Sequence, residues 1–381
     1  MFLGIKEVGG DIKNMIIGIE AMHAEKQPRT GVEEYSFQLI EHLKQTIPAT
    51  ERVILYSKHL LTGSLGVLPA NWENKVLTWP LSKLWSQVRL SLELLFHPPD
   101  IFLAPAQLIS FFTPKKTVVM IHDSAFLVFS KAYNFLGRQY LIWMNKRIIK
   151  KAALILTSSQ FNVAELKRLY SKKRLPSIVV TPLAVCAEKV KLSTTGNTIS
   201  SHGITKKYIL SIGRLETKKN TVALLKAFTK VREKMDLQLV LVGSRGVGYE
   251  NIGAELENHP YRSDIILPGY VGENELAQIL HKAQVFVFPS LYEGFGLPVL
   301  EAMALGVPAV VSDIPAFREV GGDAVSYAPA NQPDQLAQAI LALLQDQTLY
   351  KEYQRRGLAR VRLFSWEKTA RETWEAIAKL S

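Results

Sequence analysis

Short apolar runs alternate with longer amphipathic stretches along most of the chain. Such runs predict buried strands, and the stretches between them predict helices. In the first half the predicted strands are 15–20, 52–57, 117–123, 153–159 and 177–185, with helices over 31–45 and 161–170. In the second half the predicted strands are 208–214, 237–243, 264–271 and 284–290, with helices over 221–234 and 273–282. This alternation predicts an α/β protein whose parallel sheets bind ligands at the carboxyl ends of their strands.

The division of the chain into domains follows from its length and from one polar stretch. A chain of 381 residues is long enough for two domains, each with its own core. Residues 189–205 are polar and have the composition of a linker. We therefore expect a first domain over 1–188 and a second over 206–362, with residues 1–14 as an extension before the first strand.

The segment 286–311 has the most informative order of residues in the chain, FVFPSLYEGFGLPVLEAMALGVPAVV. An apolar strand leads into a glycine-bearing loop with Glu293, and Pro298 is predicted to be the first residue of a short helix that contains Glu301 and ends at Gly306. Free N–H groups at a helix N-terminus favour an anion. This context predicts a sugar-nucleotide site, whereas two glutamates eight residues apart also occur elsewhere in the chain by chance.

A second candidate group follows the first predicted strand of the second domain. Gly213 and Arg214 end that strand, and Lys218, Lys219 and Asn220 precede the next helix. Arginine and lysine together suit a diphosphate, since one offers a planar fork and the other a point charge. The alternative is an ordinary pair of surface cations beside a helix start.

Two positions of the first domain lie where an α/β sheet places its ligands. His122 and Asp123 end strand 117–123, and His122 is predicted to donate to a sugar hydroxyl or to stabilise developing charge. Gly31 precedes the first long helix and allows a phosphate or sugar to approach the backbone. The alternatives are a histidine that caps the strand and a plain turn glycine.

Charge is distributed unevenly over a composition that is otherwise ordinary for a globular protein. The net charge is +12, and residues 131–175 hold 11 Lys and Arg against one acid, Glu165. This segment is either a solvated helix face or a contact with anionic lipid headgroups or a phosphate-bearing acceptor. Residues 79–96 suggest either the same membrane surface or a core helix. No recognised nucleic-acid module accompanies the charge, so a nucleic-acid partner is not expected.

Several chemistries have no signature in the sequence. There is no Asp-x-Asp pair, no Walker loop and no Cys/His cluster for zinc. We therefore expect neither a metal nor a resident cofactor. Cys186 is the only cysteine, which fits a reducing cytoplasm. No apolar run has the length of a membrane-spanning helix.

Seven segments along the chain form a recognisable series: RTGVEEY (29–35), IHDSAFL (121–127), LTSSQF (156–161), SIGRLETKKN (211–220), PGYV (268–271), YEGFGLPVLEAMALGVPAV (292–310) and FSWEKTARETWEA (364–376). These segments, in this order, resemble those of the retaining GT-B glycosyltransferases of group 1, also called family 4. The resemblance implies two facing Rossmann-like domains, with residues 363–381 as a helix that crosses back to the first. Asn220 departs from the glycine that many members have, and Thr181–Ala184 replace a common Asn-Gly ending.

The resemblance also implies roles for individual residues. Glu301 matches the ribose-binding glutamate, Glu293 the one that contacts the donor sugar, and Arg214 with Lys219 the diphosphate-binding pair, with Lys218 as the other register. The implied catalytic residues are His122, Arg214, Lys219 and Glu293. The implied donor-binding residues are Gly31, Gly213, Tyr270, Val271, Gly294, Phe295, Gly296, Leu297 and Glu301. The base is implied to be held near Tyr270 and Val271, and the sugar and phosphates by the loop 294–296.

The implied function is metal-independent transfer of a hexose, with retention, from a GDP- or UDP-linked sugar. Mannose is the favoured hexose. The implied acceptor is a glycan or a lipid-linked molecule in cell-surface polysaccharide or glycolipid synthesis, at the cytoplasmic face of the membrane. The alternatives are a GT-B nucleotide-sugar epimerase or hydrolase, and a non-catalytic subunit that binds sugar nucleotides.

Overall fold

Two parallel sheets form the framework of the protein. The structure is a computed structural model that describes residues 14–27, 29, 31–81, 83–130, 133–185 and 200–380. The first sheet contains β1 (Ile16–Glu20), β2 (Arg52–Ser57), β3 (Trp72–Val76), β4 (Ile101–Ala104), β5 (Thr117–Ile121), β6 (Leu154–Thr157) and β7 (Ser177–Val180). The second contains β8 (Tyr208–Ile212), β9 (Gln238–Val242), β10 (Ile265–Gly269), β11 (Val285–Phe288), β12 (Ala309–Ser312) and β13 (Ser326–Ala328). We call the two units the first and the second domain.

The order of the strands determines where each sheet offers a crevice. The first sheet runs β3-β2-β1-β4-β5-β6-β7 and the second β10-β9-β8-β11-β12-β13. Every pair of neighbouring strands is parallel. The chain reverses its direction of winding between β1 and β4 and between β8 and β11, and such switch points open a crevice at the carboxyl ends of the strands.

Helices cover these sheets. In the first domain they are α1 (Gly31–Thr46), α2 (Leu90–Phe96), α3 (Ala125–Val128), α4 (Phe135–Lys151) and α5 (Gln160–Leu169), with a π-helical turn at Trp85–Arg89 before α2. After them come α6 (Thr221–Arg232), α7 (Tyr249–Glu257), α8 (Glu273–Lys282), α9 (Leu297–Ala304), α10 (Pro315–Gly321), α11 (Pro333–Gln345), α12 (Gln347–Val361) and α13 (Trp366–Ala378). Central strands such as β5 and β11 are buried along their whole length because helices lie on both faces, which explains their continuous apolar sequences.

The last helix packs on the first domain. Ser365 caps α13 by accepting a hydrogen bond from the Lys368 N–H at 3.2 Å. The Thr369 hydroxyl donates to the carbonyl of Pro182. The rings of Tyr35 and Trp366 lie 6.0 Å apart, and both side chains are buried. These contacts join α13 to α1 and to the end of the first sheet.

The structure corrects one predicted helix start. Helix α9 begins at Leu297 rather than Pro298, because Gly296 has φ of +112° and is the last residue outside the helix. Pro298 is therefore its second residue, where a missing N–H is equally tolerated.

Other predictions have mixed outcomes. Within 79–96, Trp85, Leu90 and Leu94 are buried in the core, as a core helix requires, whereas the Phe96 side chain is 69% exposed. Of the predicted extension 1–14, residues 1–13 lie outside the described residues. Cys186 and residues 189–199 of the predicted linker also lie outside them. In the described part of the chain, no helix is both long and apolar enough to span a membrane.

Candidate active site

A cleft of about 630 Å³ lies between the carboxyl edges of the two sheets. Residues that directly follow β5 and β8 meet there with the loop after β11 and the start of α1. Ten of the predicted site residues line it: Gly31, His122, Gly213, Arg214, Lys219, Glu293, Gly294, Phe295, Gly296 and Leu297. The fold therefore brings together residues that are distant in sequence and belong to both domains.

One wall of the cleft is suited to an anion. Arg214 follows β8, and its side chain is 62% exposed, with Nε 3.9 Å from a carboxylate oxygen of Glu216. Lys219 pairs with the carboxylate of Glu293 and lies 4.8 Å from the centre of the Phe288 ring. The N-terminus of α9 opens on the same loop and has no side-chain cap. Two cations and the start of α9 therefore face one space. Within α9 Pro298 has no N–H, and the N–H groups of Val299 and Leu300 already donate to the carbonyl of Gly296.

Lys218 and Lys219 differ in their surroundings. Lys218 is buried, with Nζ 3.6 Å from Asp123 of the first domain and 3.9 Å from Glu216. Burial by itself lowers the pKa of Lys218, but the nearby carboxylates, led by Asp123 and Glu293, raise it more, so the net pKa is above its ordinary value. Lys218 is therefore a cation that joins the two domains.

Asn220 fixes the end of the turn that contains both lysines. It has φ of +57°, in the left-handed region that asparagine tolerates better than most residues. Its Nδ2 donates to the carbonyls of Pro289 at 3.1 Å and Ala330 at 2.7 Å. The departure from glycine noted in the sequence is thus offset by two hydrogen bonds that hold the turn on the second domain.

His122 forms part of the opposite wall. Its Nε2 lies 3.1 Å from the carbonyl oxygen of Pro105, and because a carbonyl only accepts, we assign the proton to Nε2. Burial lowers the pKa of His122 to about 4, although the Pro105 carbonyl and Asp123 act in the opposite direction. The ring is therefore neutral at pH 7 and leaves Nδ1 as an acceptor. In this tautomer the N–H of the ring donates to Pro105, and the predicted donation to a sugar hydroxyl stays a prediction.

Three predicted donor-binding residues lie outside the lining of the cleft. Tyr270 follows β10 and its side chain is 59% exposed, while Val271 is buried in the core. Glu301 lies one turn into α9 and borders a separate cavity of about 50 Å³, together with Leu276 and Leu280 of α8. The roles that the resemblance gives these three residues stay predictions.

Sequence reasoning missed the residues of the first domain that hold the donor loop. The carbonyl oxygen of Gly294 accepts hydrogen bonds from Ser158 Oγ at 3.3 Å, Ser159 Oγ at 2.7 Å and Asn162 Nδ2 at 3.1 Å. Asn162 Nδ2 also donates to the carbonyl of His122 at 2.9 Å. The signal was a pair of serines at the end of a strand within LTSSQF, a segment to which no role was given.

Within the described ranges, no group of three or more His, Cys, Asp or Glu side chains is arranged to hold a metal ion. The expectation that no cofactor is needed stays a prediction.

Known proteins share both the sequence and the fold of this chain. Residues 197–360 match the family described as Glycosyl transferases group 1. Over 376 residues the chain is 29% identical to the O-antigen chain mannosyltransferase B of Escherichia coli. The aligned region covers 92% of this chain and 96% of that protein. The family match falls on the second domain, and the relative spans both domains. The match places the second domain among the group 1 glycosyltransferases, and the chain as a whole is similar to a mannosyltransferase.

Solved structures agree with this assignment at the level of the fold. Sucrose-phosphate synthase from Thermosynechococcus elongatus superimposes on this glycosyltransferase with a TM-score of 0.74 at 19% identity, covering 96% of this chain and 99% of that one. Anabaena Alr3699/HepE in complex with UDP-glucose gives 0.69 at 13% identity, covering 96% and 100%. The predicted fold class, two Rossmann-like domains in the GT-B arrangement, is confirmed.

Proposed function

We propose that this glycosyltransferase moves a hexose, with retention and without a metal, from a nucleoside diphosphate sugar to a glycan or a lipid-linked acceptor. The observation that supports this most directly is the cleft itself. Its second-domain wall offers Arg214, Lys219 and the N-terminus of α9, and its first-domain wall offers a neutral His122 and an open backbone at Gly31. The first wall suits a diphosphate and the second suits an uncharged sugar.

The diphosphate is the part of the donor for which the site has the most chemistry. Each charge-assisted hydrogen bond from Arg214 or Lys219 to a phosphate oxygen contributes on the order of 1.5–3 kcal/mol. In the ligand-free protein Lys219 is paired with Glu293. A bound diphosphate competes for that ammonium, and the released carboxylate becomes available to accept hydrogen bonds from sugar hydroxyls. Binding of the donor thus prepares Glu293 for its proposed contact with the sugar.

The proposed reaction takes place on one face of the sugar. The bond between C1 and the phosphate oxygen breaks, and the acceptor oxygen forms its bond to C1 from the same side. The proton of the acceptor hydroxyl passes to the departing phosphate oxygen. The acceptor oxygen therefore carries no positive charge after it bonds to C1, and the phosphate oxygen leaves with a proton. Arg214 and Lys219, which lie beside the N-terminus of α9, stabilise the negative charge that grows on the leaving group.

Mannose from GDP-mannose is our proposed donor. It is supported by the name of the relative that spans both domains, an O-antigen chain mannosyltransferase. The fold neighbour solved with UDP-glucose makes UDP-linked sugars the second group to test. The side chains of the cleft described above discriminate charge and not the base, so the choice of sugar depends on the relative.

We extend the proposal to an anionic membrane surface as the place where the acceptor is met. Helix α4 exposes Phe135, Tyr140 and Trp143, and Phe111 lies beside it with its side chain 49% exposed. Arg147 lies over the Trp143 ring at 5.0 Å and donates to the carbonyl of Phe111 at 2.9 Å. Aromatic side chains together with cations are typical of a surface that lies at the headgroup level of a bilayer.

A cluster of cations continues this surface. A shallow cavity next to Trp143 is lined by Lys146, Arg147, Lys150, Lys173 and Arg174. Like charges gathered in one place attract a polyanionic surface and are screened by salt. Vesicle flotation with and without anionic lipid tests the contact. Binding to neutral and anionic vesicles alike, or to neither, would contradict it.

The donor is tested first by calorimetry with UDP, GDP and ADP, each with and without EDTA. We expect one nucleotide to bind at micromolar affinity and EDTA to leave the affinity unchanged. Lys219→Met should weaken that affinity by about tenfold or more, the loss of one charge-assisted contact. Lys226→Met, which removes an exposed lysine of α6, is the matched control and should leave it unchanged.

The alternatives give different products from the same protein. Incubation with the bound sugar nucleotide and candidate acceptors should release nucleoside diphosphate only when an acceptor is present. Free sugar or an epimerised donor as the sole product would favour the hydrolase or epimerase. Nucleotide binding without any turnover would favour the non-catalytic subunit, and binding of none of the nucleotides would contradict the proposed function.

A further inference from the structure

The two domains share the first turn of helix α5. Glu319, in α10 of the second domain, accepts hydrogen bonds from the backbone N–H groups of Gln160 and Phe161, at 2.7 Å and 3.1 Å. Ser159, the residue before α5, accepts from the N–H of Asn162 at 3.1 Å. The first N–H groups of a helix have no partner inside it, and a carboxylate is the most favourable one to add. Here the two domains together complete the cap of one helix.

The same turn of α5 also holds the donor loop. Ser158, Ser159 and Asn162 all donate to the carbonyl oxygen of Gly294, and Asn162 donates to the carbonyl of His122 as well. Gly294 lies between Glu293 and Phe295, which both line the cleft. The contacts of α5 therefore join the sugar side of the cleft to its phosphate side.

We propose that Glu319 and Asn162 are positioning residues for the transfer reaction. Glu319 holds the two domains together by capping α5, and Asn162 fixes the carbonyls of His122 and Gly294 relative to each other. When the domains separate, two N–H groups of α5 and the carboxylate of Glu319 lose their partners at once. The cleft then loses its geometry while each domain keeps its own fold.

Within the described part of the chain, the carboxylate of Glu319 accepts two hydrogen bonds. Both donors, the N–H groups of Gln160 and Phe161, belong to the first domain. Within its own domain Glu319 is fixed through its backbone, since its carbonyl accepts from Arg360. This arrangement leaves the carboxylate for the contact between domains. Its removal should therefore change the relation of the domains more than the stability of the second domain.

Asp346 offers a matched control. It caps α12 by accepting from the N–H groups of Thr348 at 2.8 Å and Leu349 at 3.0 Å, and all three residues belong to the second domain. Asp346→Ala removes a carboxylate from two helix N–H groups, just as Glu319→Ala does. Of the two variants, only Glu319→Ala removes a contact between the domains.

The test measures domain closure separately from chemistry. Small-angle X-ray scattering of the ligand-free full chain should show a larger radius of gyration for Glu319→Ala and Asn162→Asp than for the wild type and Asp346→Ala. Glu319→Gln keeps an acceptor oxygen and should restore part of the compact form. Asp346→Ala should lower the melting temperature without changing the radius of gyration.

Kinetics complete the test and depend on the proposed function. With the donor found by calorimetry, Glu319→Ala should lower kcat about tenfold or more. The Kd for the nucleotide should change by less than about twofold, because Arg214, Lys219 and the N-terminus of α9, which are proposed to bind the diphosphate, all lie in the second domain. An unchanged radius of gyration and kcat would overturn the proposal, as would a parallel loss of nucleotide affinity. If the wild type binds no nucleotide, the proposed function fails, and the scattering result still decides whether Glu319 and Asn162 hold the domains together.

Discussion

The α-carbon of Gly294 faces the carbonyl oxygen of His122 so closely that a β-carbon at residue 294 would lie 2.1 Å from that oxygen. A non-bonded carbon and oxygen cannot approach to that distance. The two residues belong to different domains, so the glycine is required by the contact between the domains and not by a left-handed backbone. This contact sets how closely the donor loop can approach the first domain.

Gly294→Ala should therefore prevent full closure. We expect sugar transfer to fall by about a hundredfold, because a misplacement of the order of 1 Å is enough for such a loss. The melting temperature should change little, since each domain can fold with the cleft open. Steady-state kinetics and thermal unfolding measure the two effects.

Gly31→Ala is the control for this variant. A β-carbon at residue 31 meets no atom within 4 Å, so the protein should fold and close normally. If a phosphate or sugar lies against Gly31, as the family resemblance implies, the added methyl should raise KM for the donor. Wild-type activity in Gly294→Ala would contradict the importance of the contact.

Glu293→Gln separates the two roles proposed for the acidic residue of the donor loop. The variant removes the charge that pairs with Lys219, so the ammonium is free for a phosphate. Nucleoside diphosphate should bind at least as tightly as to the wild type, while transfer falls because the sugar loses a charged acceptor. Calorimetry and kinetics on the same preparation measure both, and a weaker nucleotide affinity would show that Glu293 contacts the nucleotide side instead.

Thr369→Val tests how α13 is held on the first domain. Thr369 is buried, and its hydroxyl donates to the carbonyl of Pro182. Valine has the same shape but leaves that carbonyl without the hydroxyl, at a cost of about 1–3 kcal/mol. Urea unfolding gives the value, and Thr348→Val at an exposed position should stay within about 0.5 kcal/mol of the wild type.

Acid should destabilise the protein through His122. The unfolded chain binds a proton at this residue below about pH 6.5, whereas burial lowers the pKa of the folded protein to about 4. The unfolded state therefore holds more protons between these values, and the free energy of unfolding falls as the pH is lowered through this interval. His122→Gln should show a smaller fall over the same pH range, measured by denaturant unfolding. Equal slopes for both proteins would contradict the lowered pKa.

The sequence predicted most of the central strands because they are buried on both faces. It missed β4 (Ile101–Ala104), which lies in the middle of the first sheet but has only four residues and is followed directly by Pro105. Continuous apolar runs such as 52–57 and 208–214 need no knowledge of their neighbours to be recognised. The edge strand β3 was missed, since its sequence WENKV has neither an apolar run nor clear alternation. Strand β13 was missed because it has only three residues. Elements at the edge of a sheet depend on their partner for stability more than on their own pattern.

The site was predictable where a motif lies in one segment. The loop 293–297 and the pair Arg214 and Lys219 stand beside recognisable strands and helix starts. The contact of Glu319 with Gln160 joins positions 159 residues apart, and no spacing in the sequence announces it. The tautomer of His122 likewise depends on Pro105, a partner 17 residues away that only the fold brings close.

Because α13 packs on α1, an element made late in synthesis completes one made early. On the ribosome the second domain emerges before Trp366, so the apolar surface around Tyr35 stays uncovered until α13 has been made. A chain that stops after α12 would have an intact second domain and an unfinished first one. Such a product exposes buried aromatic surface and is a ready substrate for chaperones and proteases. Loss of α13 would therefore be felt in the domain that is made first.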